Sequence, residues 1–223
     1  MEFLRLFCIR HGQTVTNQGY VFNGWTDVEL SEEGKRQLNE AVAALKGLTF
    51  DAIYSSDLIR AVYGGKALAA QAGLNLIEEK QFRELHFGDC EGLPFAKIQE
   101  LYPALAEELI APEGKDFKFP NGETAGFFRQ RVGEALKALR ERHPSGMVAL
   151  FSHAGVGRAI LAALLGLSDP QMWSFEQDHG CLNLLDIYPN GAVRVRVVNG
   201  YLGPNGYHQK GPGFERLGVP VNL

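Results

Sequence analysis

The sequence predicts an α/β fold, a doubly wound and mostly parallel sheet with helices on both faces. Three observations carry this. Phe3 to Ile9 and Met147 to Phe151 are nearly unbroken apolar runs, the pattern of strands covered on both sides. Such runs alternate with segments of helical period through most of the chain, which implies strand–helix–strand units. Both runs also end abruptly in polar turns, Arg10-His11-Gly12-Gln13-Thr14 and Ser152-His153. In open α/β sheets, ligands gather at that carboxyl edge.

The elements follow in order. After the first strand, Gln13 to Leu30 reads as loop, with some helix around Thr14 to Asn17. Ser31 reads as an N-cap. Glu32 and Glu33 complement the dipole of the following helix, whose Leu38, Ala41, Val42 and Leu45 form one stripe before Gly47. Asp51 to Ser55 reads as a second strand and Asp57 to Ala72 as a helix closed by Gly73. Gly64 and Gly65 within it are unfavourable for a helix by about 1 kcal/mol each, which points to close packing there. Asn75 to Glu79 reads as a third strand and Lys80 to Glu91 as irregular. Ala96 to Ile110 reads as a helix broken or bent at Pro103, and Ala111 to Gly122 as a loop able to overhang the site. Thr124 to Arg142 carries the stripe Phe128, Val132, Ala135, Leu136 and Leu139. After the strand Met147 to Phe151, Val156 to Leu165 reads as a helix stopped by Gly166. Leu182 to Ile187 and Val193 to Val198 read as final strands joined at Pro189-Asn190-Gly191, an antiparallel edge. The last two dozen residues hold six glycines and three prolines. They could form a strap, a lid or a loose tail.

The length of 223 residues suits one domain, 1–223, with a Gly/Pro-rich tail from about 200. With 45% hydrophobic residues the chain can fill a sizeable core. A net charge of −4, a pI near 5.9 and no Lys/Arg run argue against nucleic acid or an anionic membrane as partner. Arg194 and Arg196, alternating with valines, read as the solvated face of a strand. Cys8, Cys90 and Cys181 form neither a disulfide framework nor a zinc pattern, which fits a reducing cytoplasm. The amino terminus is not patterned as a signal peptide, and no apolar stretch approaches the ~18 residues of a membrane helix.

On this reading His11, Arg60 and His153 all open onto one sheet edge. Guanidinium forks match phosphate oxygens, so Arg10 and Arg60 make the site a phosphate pocket. Taken singly, Arg60 could be a surface arginine, Glu84 a solvated acid and either histidine structural. His143 and His208 read as structural or solvent-facing, His86 and His179 could reach the pocket, and Asp27 and Asp57 read as caps.

Taken together, these segments resemble the histidine phosphatase superfamily of phosphoglycerate mutases and related phosphatases. The resemblance rests on Arg10-His11-Gly12 with Asn17, Asn23 to Ser31, Ser55-Ser56-Asp57 through Arg60-Ala61, Arg83-Glu84-Leu85 with Phe87-Gly88 and Glu91-Gly92, Asn121 to Thr124, and Ser152 to Gly155. They stand in family order over roughly the first three quarters of the chain. The resemblance implies that His11 is the nucleophile and Glu84 the general acid and base. Arg10, Asn17, Arg60 and His153 would bind the phosphate, with His153 counted among the catalytic residues as well. It further implies a metal-independent phosphomonoesterase of the histidine acid phosphatase type, without cofactor, acting on a small phosphorylated metabolite. Because Leu93 to Pro120 offers only Lys97, Lys115 and Lys118 and no paired arginines, hydrolysis is favoured over a cofactor-dependent mutase. Intact His11, Arg60, Glu84 and His153 speak against an inactive phosphate-binding module. Arg83 to Gly92 and Phe119 to Thr124 are similar to α-ribazole phosphatases and broad-specificity relatives. Cys90 stands where many members have Trp, which leaves ribazole, sugar phosphates and phosphoserine open. A homodimer also stays open.

Overall fold

The computed structural model describes residues 2–16, 21–110, 116–203 and 206–209. Its strands are β1 (Leu4–Arg10), β2 (Ala52–Ser55), β3 (Leu76–Glu78), β4 (Gly146–Ser152), β5 (Cys181–Ile187), β6 (Val193–Gly203) and β7 (Gly206–Gln209). They form one sheet in the order β3-β2-β4-β1-β5-β6-β7. The strands β3, β2, β4 and β1 are mutually parallel, and β5, β6 and β7 continue antiparallel from β1. This is the mostly parallel α/β architecture expected, with the antiparallel edge.

The helices are α1 (Glu32–Ala44), α2 (Ile59–Ala72), α3 (Phe95–Leu101), α4 (Pro103–Ile110), α5 (Ala125–Arg142), α6 (Ala154–Leu165) and α7 (Asp169–Met172). The apolar run of β1 is explained by what covers it. Leu4, Leu6 and Cys8 enter the core shared with α3 to α6. Phe7 and Ile9, on the opposite face, enter the core shared with α1 and α2. Alternation along the strand thus buries every second residue on each side, and neither side is left to water.

Helix ends follow the sequence signals. The Ser31 hydroxyl accepts from Gly34 N–H at 3.1 Å, and Gly73 and Gly166 close α2 and α6 at φ 69° and 65°. Pro103 separates α3 from α4 and begins the second, where its missing N–H costs nothing. A Cβ on Gly64 would lie 2.6 Å from the Phe151 ring, and one on Gly65 2.7 Å from Leu76, so both glycines let α2 sit directly on the sheet.

Some expectations change. Thr14 to Thr16 hold no helix, because Thr14 pairs with Leu30 in an isolated antiparallel bridge. The helix after β4 begins at Ala154, making His153 its N-cap. Helix α7 was not expected; its capping box, Ser168 with Gln171, was legible but short. Strand β6 continues to Gly203 and pairs with β7, so the start of the tail is sheet; residues 210–223 lie outside the described residues. Arg194 and Arg196 are exposed on β6, as expected, and Arg196 donates to the buried Asp186 at 2.7 Å beside Arg5. Among the described residues no helix is long and apolar enough to cross a membrane.

Candidate active site

Strand order and register bring the predicted groups together. Arg10 stands opposite Ser152 and Ser55 opposite Phe151, so the carboxyl ends of β1, β4 and β2 emerge side by side. His11 N–H donates to Ser152 O at 2.9 Å, and the His11 and His153 rings lie 5.2 Å apart, centroid to centroid. Gly12 leaves room for the turn: a Cβ there would strike the Gly34 carbonyl of α1.

The His11 ring is buried. Its Nδ1 lies 2.7 Å from the Gly12 carbonyl, and since a carbonyl only accepts, the proton sits on Nδ1 and leaves Nε2 with a free lone pair. Burial first, then the charges of Arg60, Arg10 and His153, hold its pKa well below the ordinary 6.5. His153 is pushed down in the same way, by burial and then by Arg60 and Arg10. Its Nε2 lies 2.7 Å from the Ser56 hydroxyl, a partner not assigned from sequence.

Arg60 is fully buried within α2. It donates Nη1 to Thr26 O at 2.9 Å and Nη2 to Asn23 O and Gly24 O at 3.1 and 2.6 Å. Burial lowers it to about 10, still cationic at neutral pH. Arg10 is fixed by Gln177 O and by His179 Nε2, the latter at 2.9 Å. Around His11, the buried nitrogens Arg10 Nε, Arg60 Nε and His153 Nδ1 have no hydrogen-bond partner among the described residues. Buried donors without acceptors are costly, so three beside one neutral imidazole mark a place for an anion.

Glu84 is held over the first turn of α6. Its Oε2 accepts from Gly155 N–H at 3.0 Å and its Oε1 from Leu85 N–H at 2.9 Å. Its backbone carbonyl accepts from Trp25 Nε1 at 2.9 Å and from Arg131 Nη2 at 3.2 Å. Arg131 is itself paired with buried Glu123 at 2.8 Å, and Glu91 accepts from the Trp25 and Thr26 backbone at 2.7 and 2.6 Å. The Glu91-Gly92 and Asn121 to Thr124 motifs thus brace the segments carrying Glu84 and the loop that fixes Arg60.

Arg10, His11 and Glu84 line a cleft of about 640 Å³ together with Phe22, Phe87, Arg158 and His179. Arg60 and His153 are buried and are not among its lining residues. His179 faces His11 at 5.8 Å between ring centroids, and burial beside Arg10 pulls its pKa down to about 3. It reaches the site because β5 runs antiparallel to β1, so the loop entering β5 arrives at the edge where the parallel strands leave. Arg158 is the cation the sequence reading missed; its signal was its place five residues after His153, on the next turn of a helix leading from the site.

Other predicted residues lie elsewhere. His86 packs on Trp25 at 4.7 Å between centroids, and His143 sits 2.8 Å from the Tyr54 hydroxyl with its pKa lowered by burial. Asp27 accepts from Ile59 N–H at 2.8 Å and caps α2 from a distant loop, while Asp57 pairs with Arg83 at 2.6 Å. Cys90 is buried in the core and does not line the cleft, whose aromatic surface comes from Phe22, Phe87 and Phe95. Lys97 pairs with Glu100 on the exposed face of α3. Phe117 and Phe119, from the expected overhanging loop, are buried, and residues 111–115 lie outside the described residues. Asn17 and Lys115 are outside them too, and nothing is described of the His208 side chain. Among the described residues no group of three or more His, Cys, Asp or Glu is placed to hold a metal ion.

Residues 6–200 match the family model of the histidine phosphatase superfamily, branch 1. The chain is 29% identical over 194 residues to phosphoserine phosphatase 1 of Hydrogenobacter thermophilus, covering 87% of this chain and 92% of that one. It is 29% identical over 198 residues to the adenosylcobalamin/α-ribazole phosphatase of Escherichia coli K12, covering 88% and 96%. The crystal structure of the α-ribazole phosphatase from Shigella flexneri superposes with a TM-score of 0.80 at 27% identity, covering 87% of this chain and 96% of that one.

Proposed function

The chain belongs to the histidine phosphatase superfamily, and from that premise we propose that it is a phosphomonoesterase that hydrolyses a small phosphorylated metabolite through a phosphohistidine on His11. The observation that carries this reading is the set of unpaired buried nitrogens, Arg10 Nε, Arg60 Nε and His153 Nδ1, beside a neutral His11. A phosphoryl group supplies the acceptors they lack.

In the first step the His11 Nε2 lone pair forms an N–P bond as the ester P–O bond breaks, and the alcohol oxygen takes a proton from Glu84. In the second, Glu84 takes a proton from water, whose oxygen attacks phosphorus. The N–P bond breaks and inorganic phosphate leaves. Arg10, Arg60 and His153 hold the equatorial oxygens throughout, with the amino end of α6 adding its positive dipole. Ser56 donates to His153 Nε2 and so keeps the proton on Nδ1, facing the anion. On this reading Asn17 adds a hydrogen bond, and the cationic side chains supply the charge a metal would otherwise bring.

Hydrolysis is favoured over a mutase because, among the described residues, the cleft's lining cations are Arg10 and Arg158, and the segment Leu93 to Pro120 carries no arginine pair for a carboxylate and a second phosphate. Phosphoserine and α-ribazole phosphate, named by the relatives, are the first substrates to try. In excess chelator the purified protein is expected to release p-nitrophenol from p-nitrophenyl phosphate. His11→Ala should lower kcat by at least about 1,000-fold and remove the acid-labile phosphoenzyme seen on rapid quenching. Retained turnover in that variant rejects the nucleophile. Isomerisation of 3-phosphoglycerate without phosphate release, primed by bisphosphoglycerate, rejects the hydrolytic assignment.

A further inference from the structure

Beyond the cleft lies a second cavity of about 530 Å³, lined by Phe22, Phe95, Leu109, Phe117, Trp173 and Arg158 among others. Phe22, Phe95 and Arg158 line both spaces, so the cavity adjoins the cleft that holds His11 and Glu84. Its walls are held in place. Phe117 is buried and meets Trp173 at 5.9 Å and Phe119 at 5.8 Å between ring centroids. The Arg158 guanidinium lies 5.8 Å over the Trp173 ring, with Nε donating to Phe175 O at 2.7 Å.

A serine- or glycerol-sized alcohol esterified to a phosphate bound at His11 has nothing to place against these aromatic walls. A larger acceptor fills them, and its apolar surface leaves water as it does. A guanidinium fixed over an indole also offers a flat face on which a second ring can stack. We propose that this cavity is the acceptor subsite, and that the substrate is a phosphomonoester whose alcohol carries an aromatic or comparably bulky apolar group. The inference rests on the phosphomonoesterase reading above and narrows its substrate class.

The test compares ethyl phosphate with 3-phenylpropyl phosphate. Both leaving groups are primary alcohols of similar acidity, so a difference in kcat/KM reports the acceptor group rather than the ease of bond breaking. The expected preference for the phenylpropyl ester is roughly 100-fold. Trp173→Ala should reduce that ratio to below about tenfold by acting mainly on the phenylpropyl ester. Hydrolysis of both esters with a wild-type ratio under about tenfold overturns the subsite while leaving the phosphatase reading intact. A ratio unchanged in Trp173→Ala also overturns it. Release of phosphate from neither ester overturns the subsite when p-nitrophenyl phosphate is still hydrolysed, and overturns the phosphatase reading with it when that ester is spared too.

Discussion

His11 is kept neutral by its surroundings. Burial and two nearby guanidiniums disfavour imidazolium, and the Gly12 carbonyl fixes the proton on Nδ1, leaving the Nε2 lone pair free. Arg60 contributes twice on this reading, as a charge acting on His11 and as a donor through Nε, and it is held for both by three backbone carbonyls of residues 23 to 26. Glu84 depends on a residue with no side chain. A Cβ on Gly155 would strike Glu84 Oε1, so Gly155→Ala should push the carboxyl group off its seat on α6. Proton transfer is sensitive to displacements of about 1 Å. We expect kcat for 3-phenylpropyl phosphate, whose leaving oxygen needs that proton, to fall by about 100-fold while KM changes by less than about threefold, because Arg10, Arg60 and His153 are untouched. An unchanged kcat places the proton donor elsewhere.

At the scale of elements, the site is a set of loops braced against one sheet. Asp27, from the loop before α1, caps α2 through Ile59, and α2 in turn presents Arg60 to carbonyls of that same loop. The two segments therefore fix each other. Arg131 of α5 ties Glu123, Gln81, Arg83 and Glu84 together, joining the longest helix to the irregular stretch with the carboxyl group. Close contact between α2 and β4 underlies this frame. Gly64→Ala would drive a methyl group into the Phe151 ring; overpacking of this kind costs about 1–3 kcal/mol, against about 1 kcal/mol gained in helix propensity, for a net loss of up to about 2 kcal/mol. Chemical denaturation should show that loss of stability with an unaltered slope. A gain of about 1 kcal/mol in Gly64→Ala, the bare helix-propensity effect, would mean the helix can move off the sheet without penalty.

For the whole molecule, the consequence is a stability that depends on pH before any ligand binds. His11, His153 and His179 all have folded-state pKa values below 6.5, with His179 at about 3. Below pH 6.5 the unfolded chain takes up protons that the folded chain refuses, so stability falls as pH falls, by up to ~1.4 kcal/mol per pH unit for each group. Asp57 and Asp186 are shifted below 3.8 by their arginine partners, chiefly Arg83 for the first and Arg5 and Arg196 against burial for the second. Their contribution is lost only as pH falls below that value, outside this window. We expect a loss of roughly 2 kcal/mol or more between pH 7 and pH 5. Scanning calorimetry would show a falling Tm, and inorganic phosphate should offset it by binding the folded state. We also propose that the chain is one domain, so the same scans should contain one transition. A Tm that is flat from pH 7 to pH 5 would show that these histidines are not held neutral.

The sequence by itself determined the layered architecture, because burial on both faces of a strand and on one stripe of a helix leaves a periodic record in the residues. It also marked Arg10, His11, Arg60, Glu84 and His153 as one set, since they stand in motifs short enough to read along the chain, and the proposed phosphate site is built on that set. Tertiary structure decided what lies across from them. His179 comes into the site through an antiparallel strand, Ser56 meets His153 across two strand ends, and Arg158, Phe117 and Trp173 meet from three separate segments to wall the second cavity. Such contacts depend on strand order and crossover, and a local pattern of apolar and polar residues carries no information about which strand will be neighbour to which.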